Sequence, residues 1–363
     1  MDDQLQNPRS IGRDHDNGAV HAESESVGAR PQILSFFCGA GGLDLGFTKS
    51  GYDVIFAADY FQAAIDTHNA NSNQPVAQTL DLLYAKAAHI TEFLKARSPS
   101  ASPVGIIGGP PCQGFSRANT QRSQADPRNM LARRYAALIV DLAEIYPIQF
   151  FVFENVPELL AKNNQRIFTS LKRKLAKHFN VSVALINAAD FGVPQTRERV
   201  FLVGLRKGMS EKEFAFPSPS SSVRSTVRHA IGHLPPPIFF NRSLTPRDIP
   251  HHPNHWTMRP RSSRFSADLV SSGRSLIRLD WDKPSRTVAY GHREIHVHPS
   301  GLRRLSLYEA MLLQGFPPDY ILKGNLSEQV TQISNAVPPP VAHAIANQLK
   351  KYLPRPIQRR EHE

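Results

Sequence analysis

Only two cysteines, Cys38 and Cys112, stand among the 363 residues, far too few for a disulfide framework, so a reduced cytoplasmic setting is expected. No apolar run approaches the roughly 20 residues that cross a bilayer, and a membrane partner is not expected. Acid is scarce too: 31 Asp and Glu face 43 Lys and Arg, a net charge of +12. That imbalance points to a polyanionic partner, although a merely solvated basic surface would give the same count. Its location is more informative. Between Leu205 and Arg304, 17 Arg and Lys stand against 7 Asp and Glu, together with eight of the 15 histidines. Arginine dominates there, the side chain suited to forked contacts with phosphates and guanine edges. Met1 to Arg30 is polar and charged without an apolar segment, which fits a disordered tail and not a signal peptide.

The remainder is long enough for one large α/β domain and a smaller one. Short apolar runs at Ile33–Phe37, Val54–Ala57, Val104–Ile107, Ile148–Phe153, Val181–Ile186 and Val200–Val203 read as strands. Their nearly continuous apolarity suits a sheet covered on both faces. Helix-type segments separate them, such as Asn163–Phe179, where Ile167, Leu171, Leu175 and Phe179 recur every four residues. This alternation predicts a doubly wound α/β sheet. After Lys207 the texture turns to Pro, Ser, His and Arg, marking a loop-rich second unit. Regular structure returns with a capping-box pattern at Ser306 and Glu309, a helix over Leu307–Leu313, and a last helix carrying Val341, Ile345, Leu349 and Tyr352. The expected units are residues 1–30 (tail), 31–206, 207–320 and 321–363, the last packing back on the first domain.

Six groups of residues could carry chemistry. Gly108-Gly109-Pro110-Pro111-Cys112-Gln113-Gly114 follows a strand and mounts a thiol in a rigid, nearly side-chain-free turn. A free thiol has a pKa of about 8.5, which a nearby arginine would lower; the bland reading makes Cys112 a small buried hydrophobe. Phe37-Cys38-Gly39-Ala40-Gly41-Gly42 opens a helix after the first strand, as a nucleotide-binding turn does, yet Asp44 stands where the dinucleotide fingerprint requires glycine. Asp59 ends the second strand, where such folds place a carboxylate on ribose hydroxyls, and Asp81 sits similarly behind a third; either could equally cap a helix. Glu154 closes a buried strand, so its pKa should be raised and it could donate a proton, or else bind loop amides. In Gln195-Thr196-Arg197-Glu198-Arg199 the alternate residues share a side, and two guanidiniums there could hold an anion or form a surface ion-pair strip. His251, His252 and His255 lack a cysteine partner, so DNA contact or local hydrogen bonding is favoured over a metal.

With these blocks assembled, the chain resembles the cytosine-5 DNA methyltransferases of bacterial restriction and modification systems. The resemblance runs from Ile33 to Leu349 except in the variable middle. It rests on ordered blocks that also include Phe153-Glu154-Asn155-Val156, Gln314-Gly315-Phe316-Pro317 and Asn335-Ala336-Val337-Pro338-Pro339. It implies a mixed sheet of the S-adenosylmethionine-dependent methyltransferase type, with Cys112 attacking C6 of a cytosine flipped out of duplex DNA. It also implies Glu154 at N3, Arg199 at O2 and Arg197 in support. Phe37, Gly39, Gly41, Asp59, Asp81, Pro111 and Asn335 would line the S-adenosylmethionine pocket, with no metal. Residues 207 to 293 would recognise the DNA sequence, and a cognate restriction endonuclease acting on the same site is the further partner such systems hold. A monomer in the nucleoid is expected. Ser35, Phe61 and Ser334 depart from the commonest pattern, which bears on cofactor contacts only. A tRNA cytosine-5 methyltransferase built on the same blocks, or a DNA-binding module without catalysis, are the alternatives.

Overall fold

The computed structural model describes residues 30–111, 128–209, 213–220, 224–271, 276–287 and 296–354. Its strands are β1 (Gln32–Phe36), β2 (Asp53–Asp59), β3 (Ala77–Thr79), β4 (Gly105–Gly108), β5 (Phe150–Asn155), β6 (Phe179–Asn187), β7 (Gln195–Thr196) and β8 (Glu198–Arg206). The helices are α1 (Gly42–Lys49), α2 (Gln62–Ala70), α3 (Ala87–Arg97), α4 (Arg128–Ile145), α5 (Gln165–Leu175), α6 (Val227–Ile231), α7 (Leu307–Leu313), α8 (Leu326–Asn335) and α9 (Pro339–Leu349). Seven strands form one sheet in the order β3-β2-β1-β4-β5-β8-β6. The first five are parallel, and β8 runs antiparallel to both of its neighbours, so the α/β class is as expected and the sheet is mixed.

Strand periodicity explains the two-sided burial. In β1 and β5, Leu34, Phe36, Phe151 and Phe153 face a layer built from α3, α4 and α5 through Ile90, Leu142 and Leu171. The intervening Ile33, Phe150 and Val152 face α1 and α9 through Phe47, Val341, Ile345 and Leu349. Each fully buried phenylalanine in these layers contributes about 1.5–3 kcal/mol, so the sheet is held mainly by its faces. Gly46 is required where α1 crosses α9, because a Cβ there would collide with that of Ala342. The strand order turns back on itself between β1 and β4, and their carboxyl ends therefore flank the crevice where open sheets of this kind bind ligands.

Several elements differ from expectation. The helix predicted over Asn163–Phe179 is α5 and stops at Leu175; Phe179 opens β6 and meets Phe151 edge to face at 5.0 Å. The four-residue apolar spacing continued across a turn, because turn and strand bury the same core. Tyr352 lies past the end of α9, where its hydroxyl accepts from the Ala215 amide. In α8 a capping box from Asn325 and Glu328 starts a helix the sequence reading passed over. The box at Ser306 and Glu309 is present and opens α7. Between Arg224 and Ser306 the described residues form only α6, one 3-10 turn and two-residue strands.

Candidate active site

Phe37, Gly39 and Gly41, just past β1, all have left-handed backbone (φ 54°, 52° and 80°). This winding turns the Gly39 amide toward the next strand, where it donates to Asp59 Oδ2 at 3.0 Å; from the turn after β2, Phe61 N donates to Oδ1 at 3.0 Å. Asp59 thus joins the turns after β1 and β2. Burial pushes its carboxyl up, while the amides of Phe61, Gly39 and Tyr60 draw it down. A Cβ on Gly39 would meet nothing within 4 Å, so open space lies over the turn beside this carboxylate. Tyr60, 67% exposed at the same edge and tilted against Phe61 at 6.3 Å, offers an exposed aromatic ring that sequence reading missed; its adjacency to Asp59 was the available signal. Asp81 is exposed and accepts from the Leu83 amide at 2.9 Å in a local turn; it does not cap a helix, since the N-cap of α3 is Lys86.

A buried network under the glycine turn was also missed. Asp44 accepts from Ser35 Oγ at 2.6 Å and from His68 Nε2 at 2.8 Å, and Tyr320 donates its hydroxyl to the Ala40 carbonyl. A side chain on Gly41 would press on His68 and Tyr320, so the network also shapes the loop. Removing the donor from a buried carboxylate is costly. His68→Leu is expected to lower stability by about 2–3 kcal/mol, and an unchanged urea midpoint would show that the contact carries no weight.

The other half of the site is built around Glu154. Its carboxylate lies at the end of β5, 7% exposed, with Oε1 3.2 Å from Arg199 Nε. Burial pushes the carboxyl up, while Arg199 and Arg197 draw it down; the net direction is up. A Cβ on Gly109 would stand 2.9 Å from Glu154 Oε2, so glycine there lets the Gly109-Pro110-Pro111 turn close on the carboxylate. Asn155 Nδ2 clamps the same turn by donating to the Pro110 carbonyl at 3.1 Å. Cys112, the next residue after Pro111, lies outside the described residues.

The basic strip divides its work. Arg199 faces Glu154, whereas Arg197 is 1% exposed and donates from Nη2 to the Ser334 carbonyl at 3.0 Å. Gln195 donates to Gln314 Oε1 at 2.7 Å, and Gln314 in turn donates to the Ala336 carbonyl. These bonds anchor the end of α8, where Asn335 is exposed, and Val337 O stands against Gly42 at the start of α1. Val337, two residues past Asn335, is thereby held against the glycine turn by buried polar contacts that begin at Gln195 and Arg197. Gln195 and Thr196 pair in parallel with Ser285 and Arg286, and Thr287 Oγ1 donates to the Thr196 carbonyl, so segment 285–287 also abuts this strip. The histidines make local contacts: His255 bridges Ser306 Oγ and the Pro235 carbonyl, and His252 stacks on Tyr308 at 4.0 Å, its burial lowering its pKa to about 4. Among the described residues no group of three His, Cys, Asp or Glu could hold a metal.

The family model for C-5 cytosine-specific DNA methylase matches residues 32–351. The chain belongs to that family. The type II methyltransferase M.MthTI of Methanothermobacter thermautotrophicus is 35% identical over 346 residues, spanning 88% of this chain and 97% of its own. M.FnuDI of Fusobacterium nucleatum, another type II methyltransferase, is 31% identical over 347 residues, with 89% and 95% covered. Among solved structures, one described as a DNA modification methyltransferase of an E. coli prophage superposes with a TM-score of 0.72 at 25% identity, covering 89% of this chain and 99% of its own. The S. pombe Dnmt2 methyltransferase shares the fold with a TM-score of 0.62 at 14% identity, covering 89% and 98%.

The protein is thus a DNA cytosine-5 methyltransferase, and the family's methyl donor is S-adenosylmethionine. The residues present fit that donor. Open space over Gly39, a buried carboxylate at Asp59 and the exposed ring of Tyr60 together offer polar and stacking partners to a nucleoside. No helix among the described residues is long and apolar enough to cross a membrane.

Proposed function

We propose that this enzyme methylates C5 of a cytosine flipped out of a specific duplex sequence, through a transient bond between Cys112 Sγ and C6, as the modification partner of a restriction endonuclease. The observation that supports it best is Glu154: a buried carboxyl of raised pKa, oriented by Arg199 and packed on the turn that leads to Cys112. C5 of cytosine is a poor nucleophile. Addition of the thiolate at C6 puts electron density on C5, and a proton delivered to N3 by Glu154 cancels the charge that would otherwise build on the ring. S-adenosylmethionine, when bound, supplies the electrophilic methyl group. Loss of the C5 proton then expels the thiolate and restores the aromatic ring.

Arg199 holds Glu154 and is assigned to the base's O2, while Arg197 is assigned a positioning role through Ser334. Asp59 and Asp81 are assigned to the donor's polar edge, and Phe37, Gly39, Gly41, Pro111 and Asn335 to its walls. Residues 31–206 are read as the catalytic unit, 207–320 as the target-recognition unit and 321–363 as the closing segment, in a monomer working at the nucleoid. The face of a stacked base is closed to a nucleophile, so extrusion comes first and costs a few kcal/mol. Duplex DNA carrying 5-fluorocytosine at the target is expected to trap a protein–DNA adduct that survives denaturation, because no C5 proton can leave. The adduct should need the methyl donor and map to Cys112. Turnover of the fluorinated duplex without any trapped species would refute the covalent route.

A further inference from the structure

We propose that the outward face of α5 is a second DNA-contact surface, which grips duplex beyond the recognition site; this rests on the reading of duplex DNA as substrate. The chain holds no Asp or Glu between Glu158 and Asp190, yet Lys162, Arg166, Lys172, Arg173, Lys174 and Lys177 crowd into half of that interval. All six are exposed, and none makes a salt bridge to a described carboxylate. Ile167, Leu171 and Leu175 bury the inner face against the sheet. Arg166 and Arg173, two helical turns apart, stand opposite that face, about 10 Å from each other along the axis. Lys172 and Lys174 flank Arg173.

Helix stability does not account for the pattern. Cations in the last turn favour the helix dipole, but Lys162 and Arg166 stand at the end where cations are disfavoured. The direction of the stripe is informative as well. Phe179, just after Lys177, pairs with Arg206 at the level of the start of β5, whereas Glu154 pairs with Phe201 at the other edge. The cations therefore run from the active-site edge toward the opposite edge of the sheet, where the exposed Lys207 lies beside them, its backbone N–H donating to the His178 carbonyl. A rod of phosphates leaving the site along α5 would meet exposed positive charge at both ends of the helix.

The test is a triple variant, Arg166→Gln, Arg173→Gln and Lys174→Gln, none of which belongs to the catalytic or cofactor machinery. Binding to a long duplex of arbitrary sequence is measured across a salt titration. Each phosphate contact adds about 0.9 to the slope of log affinity against log salt, so the variant should lose roughly 2–3 from that slope. Turnover on a short duplex confined to the recognition site should stay at the wild-type level, and the melting temperature should not move. An unchanged slope with a normally salt-sensitive wild type overturns the α5 surface alone. A wild type whose duplex binding ignores salt overturns the DNA reading and this surface with it. Loss of slope on transfer RNA but not on duplex DNA overturns it too, and would make the face an RNA surface.

Discussion

Cys112→Ser is expected to lower methyl transfer by on the order of 10⁴-fold or more, the scale seen when an enzyme loses a covalent nucleophile. A serine hydroxyl is almost wholly protonated where a thiol is partly ionised, so C6 addition loses its reactive species. The other cysteine cannot substitute. Cys38 is 7% exposed within an apolar cluster, and burial, followed by the nearby charges of Asp44 and Asp59, pushes its thiol well above the ordinary range. Cys38→Ala should therefore keep turnover near wild type. The two variants read together separate the roles: labelled methyl transfer to duplex DNA should vanish in one and persist in the other, with DNA binding retained in both. Turnover by the serine variant at the wild-type rate would sink the covalent mechanism.

How much of this was legible beforehand depended on whether a residue's partner is local. The strands were readable because apolar runs such as Phe150–Phe153 are buried on both faces. Glu154, Asp59 and the glycine turn were readable because a doubly wound sheet sends strand ends to one edge. By contrast, the end of α5 was misplaced because Phe179 buries against the same layer as Leu175. The Ser35–Asp44–His68 network and the Tyr320 contact were invisible, since a bond joining residues 280 positions apart leaves no local pattern. Arg197 was read as supporting the site and is near enough to draw the Glu154 carboxyl down, but its bond to the Ser334 carbonyl left no local signal, because that destination is set by how α8 docks. The α5 stripe was visible as charge, but only the sheet register gives it a direction.

Glu154→Gln is expected to lower kcat by about 10²–10⁴-fold while leaving DNA affinity nearly unchanged, since glutamine can hold N3 by a hydrogen bond but cannot deliver a proton. The pH dependence carries the sharper test. Because burial raises the folded-state pKa of Glu154, the native protein binds this proton more tightly than the unfolded chain. The competent, protonated form is therefore full below that pKa and is lost as pH rises through it, which gives kcat a falling alkaline limb. Stability moves in the same direction: the native state holds more protons than the unfolded state between the two pKa values, so stability declines with rising pH across that window. The glutamine variant fixes the neutral form. Its alkaline limb should disappear, and its stability relative to wild type should improve as pH rises above the ordinary carboxylate range. Arg199→Ala acts in the same sense to a smaller degree, since removing the cation raises the Glu154 pKa further and moves the alkaline limb to higher pH. An alkaline limb that stays in place in both variants would assign it to a different group and remove Glu154 as the acid.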